Sequence, residues 1–235
     1  PTRRSSDLLS NRKDTVRQSI MDQGLWSNEI RRQLEKARQL QDVEDIYLPF
    51  KPKKRTKASM ARDAGLSPLA DVFWNQDVHG PAPEQAAKAY ISDDVPTVEE
   101  AIQGASNIIA ERCSELAPYR RFLRSAFWHD GKLTCTLQEE DEKSQTYLAY
   151  KDFHEAIRRL PSHRILAINR GENQKVLKVS LEVRTDAYIK RLCQMIIKNP
   201  SPYTDILESA AADSYKRLIC PQIEREIRNE LTEKA

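Results

Sequence analysis

Five cations fall within seven positions in the part of the chain best suited to binding chemistry: Lys51, Lys53, Lys54, Arg55 and Lys57. Two aromatic residues, Tyr47 and Phe50, precede all of them, and Pro49 and Pro52 interrupt the segment. Because proline fixes its own φ and disfavours helix in the residue before it, the backbone is predicted to be extended here. Rings beside cations on an extended loop are typical of single-stranded nucleic-acid sites. The pattern therefore predicts a nucleic-acid contact at these cations.

The same segment also allows a structural interpretation. In that interpretation Tyr47, Leu48 and Phe50 fill the core, and the cations stay solvated or contact acidic helices nearby. The two interpretations differ in salt dependence. If all five cations contacted phosphates of duplex DNA, the affinity would fall with a log–log slope of about −4.5.

Catalytic chemistry is not predicted. Ser162 and His163 are adjacent, and neighbours on a helix point about 100° apart, so they form a poor nucleophile–base pair. A Ser cap followed by polar residues that connect the helix to its neighbours is the preferred interpretation. The chain has no G-x-G-x-x-G, P-loop, H-E-x-x-H or G-x-S-x-G motif. We expect no enzyme activity; the alternative, a hydrolase using His163 or His129, requires turnover that is lost when the histidine is changed to Ala.

No metal or cofactor site is predicted either. The four cysteines lie far apart and include no C-x-x-C pair, which favours reduced thiols that pack in the interior: Cys113, Cys135, Cys193 and Cys220. A zinc site built from them and the four histidines would lack the close ligand pairs of structural zinc sites.

The charge of the chain is nearly balanced, with Lys+Arg 38 against Asp+Glu 35, or +3. This balance does not by itself indicate a polyanion-binding protein. Charged residues are 31% and hydrophobic residues 39%, so much of the surface must face water or partner domains. The chain shows no secretory signal and no apolar run of about 18 residues. We expect a cytoplasmic location and no membrane partner.

Helical periodicity dominates the sequence. Val16 and Ile20 lie on the stripe of a first helix, and Ser27 or Asn28 can cap a second that runs to about Gln39. Six glycines in the chain are few, which also favours helices over hairpins.

Two short helices are predicted after the basic run. The first covers 58–64 and is closed by Gly65, and Ser67 with Pro68 opens the second. The pair resembles a helix-turn-helix in outline, although simple packing of two helices explains it as well.

The middle of the chain mixes helices with strands. Thr97 and Glu100 form a capping box for a long core helix, and a further helix over 118–129 stops at Gly131. The LTCTL segment that follows is a possible strand, and apolar residues alternate again at 177–183. Between them, Ser162 can cap a helix that breaks at Gly171.

A long C-terminal helix is predicted from Tyr203 onward, kinked near Pro221 and on the order of 45 Å in length. The predicted fold class is therefore mainly α: an elongated multi-helix scaffold with at most a small two- or three-strand β element.

Three segments carry a resemblance to a known family: DVEDIYLPFKPKKRTKASMARDAGLSPLAD at Asp42–Asp71, PSHRILAINRGE at Pro161–Glu172 and SYKRLICPQIEREIRNELTEKA at Ser214–Ala235. They resemble the corresponding segments of the Tex family of bacterial transcription accessory proteins, in the same order. The resemblance implies a large helical N-terminal half, followed by an RNase H-like (YqgF) domain, helix-hairpin-helix elements and an OB-fold RNA-binding domain. This chain resembles most of the first part.

The resemblance also implies a domain plan. Residues 9–130 are expected to form a Tex N-terminal-like helical region with the basic loop, 131–200 a central mixed segment, and 201–235 a long helix leading to the RNase H-like domain. Residues 1–8, PTRRSSDL, read as a translated sequencing-adapter primer, with a natural basic arm as the alternative. The end at Ala235 lies inside a helical pattern, which indicates a fragment of a longer protein.

The expected function follows from the resemblance. The chain is expected to be a helical scaffold of a nucleic-acid-binding transcription accessory factor that positions the RNase H-like and OB-fold domains. Its expected partner is nucleic acid, RNA in particular, bound mainly by those C-terminal domains. The alternative is a protein-interaction scaffold that docks onto the transcription machinery without contacting nucleic acid.

Overall fold

The computed structural model describes residues 3–138 and 142–235. The protein is 69% helical, and the described residues form twelve α-helices and one three-stranded antiparallel sheet. This confirms the mainly α class with a small β element. Of the first eight residues, 1–2 lie outside the described part, and 3–8 belong to the first helix.

The helices in chain order are α1 (Arg3–Asp22), α2 (Asn28–Lys36), α3 (Leu40–Tyr47), α4 (Lys57–Asp63), α5 (Ser67–Asn75), α6 (Pro83–Ala87), α7 (Val98–Ser114), α8 (Ala117–Asp130), α9 (Ser162–Asn173), α10 (Thr185–Ile196), α11 (Thr204–Asp213) and α12 (Cys220–Lys234). The strands are β1 (Lys132–Leu137), β2 (Asp152–Ala156) and β3 (Leu177–Glu182). The described residues divide into two compact units, the first formed by 3–121 with 196–211 and the second by 122–195 with 212–235. Neither unit is a single continuous segment of the chain.

The first unit begins with the predicted pair of helices, α1 and α2. Ser27 caps α2 by accepting a hydrogen bond from the backbone N–H of Ile30 at 3.2 Å. The apolar stripes of α1, α2 and α3 meet in one core cluster, which includes Val16, Ile20 and Val43. These stripes pack because each helix alone would leave its apolar face in water.

Helix α7 is the centre of the first unit, and α4, α5 and α6 all pack against it. Thr97 caps it, accepting from the backbone N–H of Glu100 at 3.1 Å. This is one half of the predicted capping box; the return bond from the Glu100 side chain is not among the described hydrogen bonds. Gly65 adopts φ +79° between α4 and α5, a left-handed conformation that only glycine adopts without strain. The two predicted short helices are therefore present, and both pack against α7.

Residues 196–211 join the first unit through polar contacts as well as apolar ones. The side chain of Gln76 donates to the backbone carbonyl of Ile196 at 2.7 Å and accepts from the backbone N–H of Lys198 at 2.8 Å. The Tyr203 hydroxyl donates to the carbonyl of Pro81 at 2.9 Å, and its ring lies 5.1 Å from that of Phe73. The sequence contains no local signal for these contacts.

The second unit is built on a sheet with the order β2-β1-β3. Leu133 lies opposite Leu181 on β3 and Glu155 on β2, with both neighbours antiparallel. Strands β1 and β3 were predicted from their apolar alternation. Strand β2 was not, because its sequence DFHEA is polar at most positions and none of its residues is fully buried.

Helix α9 corrects the prediction of a break at Gly171, since it continues to Asn173. Its cap residue is Pro161, and Ser162 is the first helical residue rather than the cap. Gly171 is required for packing instead: a Cβ there would lie 2.6 Å from Leu177 Cδ1 and 2.9 Å from Tyr147 Cε1. The missing side chain lets β3 approach the helix.

Polar residues of α9 connect it to α12 within the second unit, as the preferred interpretation of PSHRILAINRGE predicted. Glu172 pairs with Arg228 at 2.5 Å, and the Asn169 amide donates to the Thr232 hydroxyl at 2.9 Å. The Glu224 carboxylate accepts from the backbone N–H of Leu181 at 3.1 Å, which satisfies a donor on the outer edge of β3.

The C-terminal helix is irregular where the sequence predicted a kink. Residues Ser214–Ile219 form a π-helical segment just before Pro221, and the backbone N–H of Cys220 bonds to the carbonyl of Tyr215, five residues earlier. Proline lacks an N–H and crowds the preceding turn, which accounts for the wider winding at this place. The long helix over 204–234 is otherwise confirmed.

Replacing Gly171 with Ala is expected to lower the free energy of unfolding by about 1–3 kcal/mol through overpacking. The direction of the change in stability is diagnostic, because replacing glycine with alanine at an exposed helical site would raise the free energy of unfolding by about 1 kcal/mol. Urea unfolding measures the change. Leu166→Ala on the same helix, where the side chain is 48% exposed, is the control and should cost less than about 1 kcal/mol. A more stable Gly171→Ala protein would contradict the packing role.

Candidate nucleic-acid interface

The basic loop, residues 51–57, follows the turn after α3 and ends with Lys57, the first residue of α4. Its start differs from the prediction: Leu48–Phe50 form a 3-10 turn, so the backbone at Pro49 is helical rather than extended. Proline is tolerated there because it lies in the first turn, where its missing N–H has no helical partner to lose. The residues around Pro52 are outside helix and strand, as predicted.

The loop ends at a capping box. The Thr56 hydroxyl accepts from the backbone N–H of Ser59 at 3.0 Å, and the Ser59 hydroxyl accepts from the backbone N–H of Thr56 at 2.8 Å. This reciprocal pair fixes the start of α4. Both ends of the basic loop are thus held by regular backbone structure.

Lys51 is held by an ion-pair network on α1 and α3. Its Nζ lies 2.6 Å from one carboxylate oxygen of Glu44, and Arg12 Nε lies 2.6 Å from the other. Burial acts to raise the pKa of Glu44, but the hydrogen bonds from Arg12 and Lys51 outweigh it, so the pKa is below its ordinary value. Both cations also lie 5.5 Å from the centre of the Tyr47 ring. The ammonium group of Lys51 is therefore already engaged by contacts within the protein.

Lys53 is held by two carboxylates, one in α7 and one directly after it. Its ammonium group lies 3.3 Å from Glu111 and bonds Glu115 as well. Glu111 also pairs with Arg62 and accepts from the Thr56 hydroxyl at 3.4 Å. Only 26% of the Lys53 side chain is exposed. This lysine attaches the basic loop to α7.

The two carboxylates that hold Lys53 differ electrostatically. Burial acts to raise the pKa of Glu111, but its contacts with Arg62 and Lys53 outweigh burial and place the pKa below its ordinary value. Burial also raises the pKa of Glu115, where the hydrogen bond from Lys53 offsets only part of the effect. Lys53 thus lies beside one readily ionised carboxylate and one that is costlier to ionise.

Lys54, Arg55 and Lys57 are the exposed cations of the loop that have no carboxylate partner among the described residues, whereas Lys53 is exposed but paired. Within residues 3–138 and 142–235, none of the three makes an ion pair or a side-chain hydrogen bond. Arg55 shares the wall of a small cavity with Asp63 and Asp94, which reduces the positive potential around it. Of the five predicted site residues, the structure therefore leaves these three available to an external anion.

The aromatic residues of the segment pack inward. Tyr47 and Phe50 lie against the cluster formed by α1, α2 and α3, and the Tyr47 hydroxyl is 2.9 Å from the hydroxyl of Ser19. This is the packing that the structural interpretation predicts for the rings, and both residues are half-buried.

Comparison of the sequence with known proteins shows the family of this chain. The family model described as Tex central region-like matches residues 79–235. The chain belongs to the Tex family. The match covers most of the chain and includes Glu111 and Glu115, the partners of Lys53, but it begins after the basic loop.

The relatives of this Tex-family chain are much longer than it is. YdcI from Bacillus subtilis is 42% identical over 235 residues, which are 97% of this chain and 32% of the relative. The Transcriptional accessory protein Tex of Neisseria gonorrhoeae is 38% identical over 76% of this chain and 23% of the relative. The human S1 RNA-binding domain-containing protein 1 is 29% identical over 93% of this chain and 23% of the relative. The chain spans a third or less of the length of these three proteins.

A second group of cations in the Tex-family chain was missed by sequence reasoning. Lys36, Arg38 and Arg121 border an open cleft of about 550 Å³ in the first unit, called here the α2–α8 cleft. The first two are close in sequence, but Arg121 follows them only after five intervening α-helices. No local pattern in the sequence could have grouped them.

The remaining candidate groups are dispersed. Ser162 and His163 are exposed in the first turn of α9, and His129 is exposed at the end of α8. Across the described ranges, no three His, Cys, Asp or Glu side chains are grouped so as to hold a metal ion.

Burial raises the pKa of the Cys135 thiol to about 11, which makes it an unreactive packing group. No helix in the same ranges is long and apolar enough to cross a membrane.

Exchanging Lys53 for Met is expected to lower the free energy of unfolding by about 1–3 kcal/mol, because Glu115 would lose its cation in a half-buried site. Lys54→Met removes the same charge from a neighbouring exposed position and should change stability by no more than about 0.5 kcal/mol. Urea unfolding of the two variants gives the comparison. Equal effects would contradict the assigned role of Lys53.

Glu111 should give a pH-dependent contribution to stability. Since its folded pKa lies below the ordinary 4.5, the ionised form stabilises the fold above that value, and this contribution is lost as pH falls through the folded pKa. Glu111→Gln is therefore expected to destabilise by about 1–3 kcal/mol at neutral pH and by progressively less in acid. Unfolding is measured across that range, with exposed Glu99→Gln on the same helix as the control. A deficit that persists unchanged in acid would contradict this electrostatic account.

Proposed function

We propose that this chain is the helical scaffold of a nucleic-acid-binding transcription accessory factor. In the longer protein it positions the RNase H-like and OB-fold domains that the family resemblance implies, and it adds basic surface of its own. Nucleic acid, RNA in particular, is the proposed partner, bound mainly by the OB-fold domain. The proposed role is non-enzymatic and cytoplasmic.

The observation that carries the proposal is that some cations of the basic loop are paired within the protein and others are not. Lys51 and Lys53 are paired with carboxylates of the protein itself, whereas Lys54, Arg55 and Lys57 are exposed. A loop held by two of its cations presents the other three with little loss of backbone entropy on binding. The names of two relatives support the same direction, since one is a transcriptional accessory protein and another contains an S1 RNA-binding domain.

The proposal revises the expected size of the electrostatic contribution. A lysine already paired with carboxylates of the protein releases few counterions when nucleic acid binds, so the contacts fall from five to three. The corresponding salt slope is about −2.7 on duplex DNA and about −2 on a single strand.

A second candidate function is a protein-interaction scaffold that docks onto the transcription machinery. The α2–α8 cleft favours it, because apolar residues such as Ala37 and Ile46 line it together with the cations, and this combination suits a protein partner. The two functions can coexist, since the basic loop and the cleft use different residues.

Changing Lys54, Arg55 and Lys57 together to Ser should reduce the log–log salt slope for single-stranded RNA by about 2. Binding is measured by fluorescence anisotropy over a salt titration of the intact chain. The control changes three exposed lysines outside the loop to Ser: Lys88, Lys190 and Lys198. If the chain binds no RNA, or if both triple variants lose the same slope, the basic loop is not the contact and the protein-interaction scaffold is favoured.

A further inference from the structure

The α2–α8 cleft lies between the C-terminal end of α2, the start of α3 and the first turn of α8. Its volume of about 550 Å³ is within the range of sites that accept small molecules or side chains, roughly 300–1,000 Å³. All of its walls belong to the first unit. None of them is part of the basic loop.

A buried ion pair fixes the walls of the cleft. Arg120 Nε lies 3.1 Å from the Asp45 carboxylate, and the two side chains are 0% and 3% exposed. Arg120 also donates to the backbone carbonyl of Ser114 at 3.3 Å. This pair joins α8 to α3 and to the end of α7, so the cleft is formed before any partner arrives.

The rim of the cleft is cationic. Three cations and one carboxylate, Asp42, line it, which gives a net charge of +2. Asp42 is already engaged: it accepts from the backbone N–H groups of Arg38 and Gln39, both at 3.2 Å, and from Arg121 Nε at 3.3 Å. No residue within 3–138 and 142–235 pairs with the head groups of Lys36 and Arg38. The Arg121 side chain is 64% exposed.

The contacts of Asp42 show that the rim of the cleft can bind a carboxylate group. Its carboxylate is held by backbone donors and by an arginine at the edge of the same cleft. Arg121 has further N–H donors beyond the one used by Asp42. Additional carboxylates from a partner would complement the cations that remain.

The apolar part of the lining, called here the floor of the cleft, consists of small aliphatic residues: Ala37, Ile46, Ala117 and Pro118. Gln33 and Gln39 complete the uncharged lining. No aromatic ring lines the cleft, whereas sites for single-stranded nucleic acid stack bases on rings. An aliphatic side chain suits this floor better than a base does. The combination of an apolar floor and a cationic rim matches a peptide that carries aliphatic anchors flanked by acidic residues.

We propose that the α2–α8 cleft is a docking site for an acidic amphipathic segment of a partner protein. An aliphatic side chain of that segment enters between Ile46 and Pro118, and its carboxylates pair with Lys36, Arg38 and Arg121. The inference goes beyond the nucleic-acid scaffold, since it would hold for a chain that binds no nucleic acid.

The test uses the intact chain and a short fluorescein-labelled peptide of Asp, Glu and Leu residues, followed by fluorescence anisotropy. Lys36→Glu combined with Arg38→Glu should weaken binding by roughly tenfold or more, because two attractive charges become repulsive. Lys88→Glu with Lys198→Glu makes the same change in net charge at exposed positions outside the cleft. That control should stay within about twofold of the original. Circular dichroism confirms that both variants are folded.

Two further probes separate the possible occupants. A peptide with every Leu changed to Ser should bind at least about tenfold more weakly, because it cannot fill the apolar floor. A uridine-rich RNA oligonucleotide should bind both double variants equally. The proposal is overturned if the Leu peptide does not bind, if both double variants lose affinity equally, or if the Ser peptide binds as well as the Leu peptide. It is also overturned if RNA, rather than the peptide, is lost on changing the cleft.

Discussion

A fully buried arginine, Arg120, lies at the meeting point of α3, α7 and α8 in the first unit. Its charge can remain there because Asp45 accepts from it and the carbonyl of Ser114 accepts from its far end. Removing one partner of such a pair typically costs about 3–5 kcal/mol, since the other charge is left buried and unpaired. The pair therefore sets the orientation of α3, and the basic loop and the α2–α8 cleft both depend on that orientation.

Charge in the basic loop serves two purposes that composition cannot separate. Lys51 and Lys53 are structural: their ammonium groups neutralise carboxylates that are partly removed from water. Lys54 and Lys57 form no ion pair among the described residues, although Lys57 shares a cavity wall with Asp94 and Glu100. A loop that used all of its cations for binding would have to be ordered by its partner, at an entropic cost. Here the protein's own glutamates order the loop beforehand.

The predictions from the sequence were accurate where a single helix or strand determines the outcome. The caps at Ser27 and Thr97, the turn at Gly65 and the alternation in β3 all involve neighbours within a few residues. The break predicted at Gly171 was wrong because glycine occurs both where helices end and inside helices where another element packs closely against the backbone. Only the position of Leu177 distinguishes the two cases. Strand β2 was missed for a similar reason, since its pairing with β1 outweighs its polar composition.

The sequence by itself determined the helical class, the small sheet, the family and the position of the basic run. These are properties of local periodicity and of contiguous motifs, which survive without knowledge of distant contacts. The tertiary structure alone decided which cations are free. Lys53 and its partner Glu115 are separated by many residues in the chain, and ion pairing acts through distance in space rather than in sequence. For the same reason, Lys36 and Arg121 could be recognised as parts of one cleft only after the helices had packed.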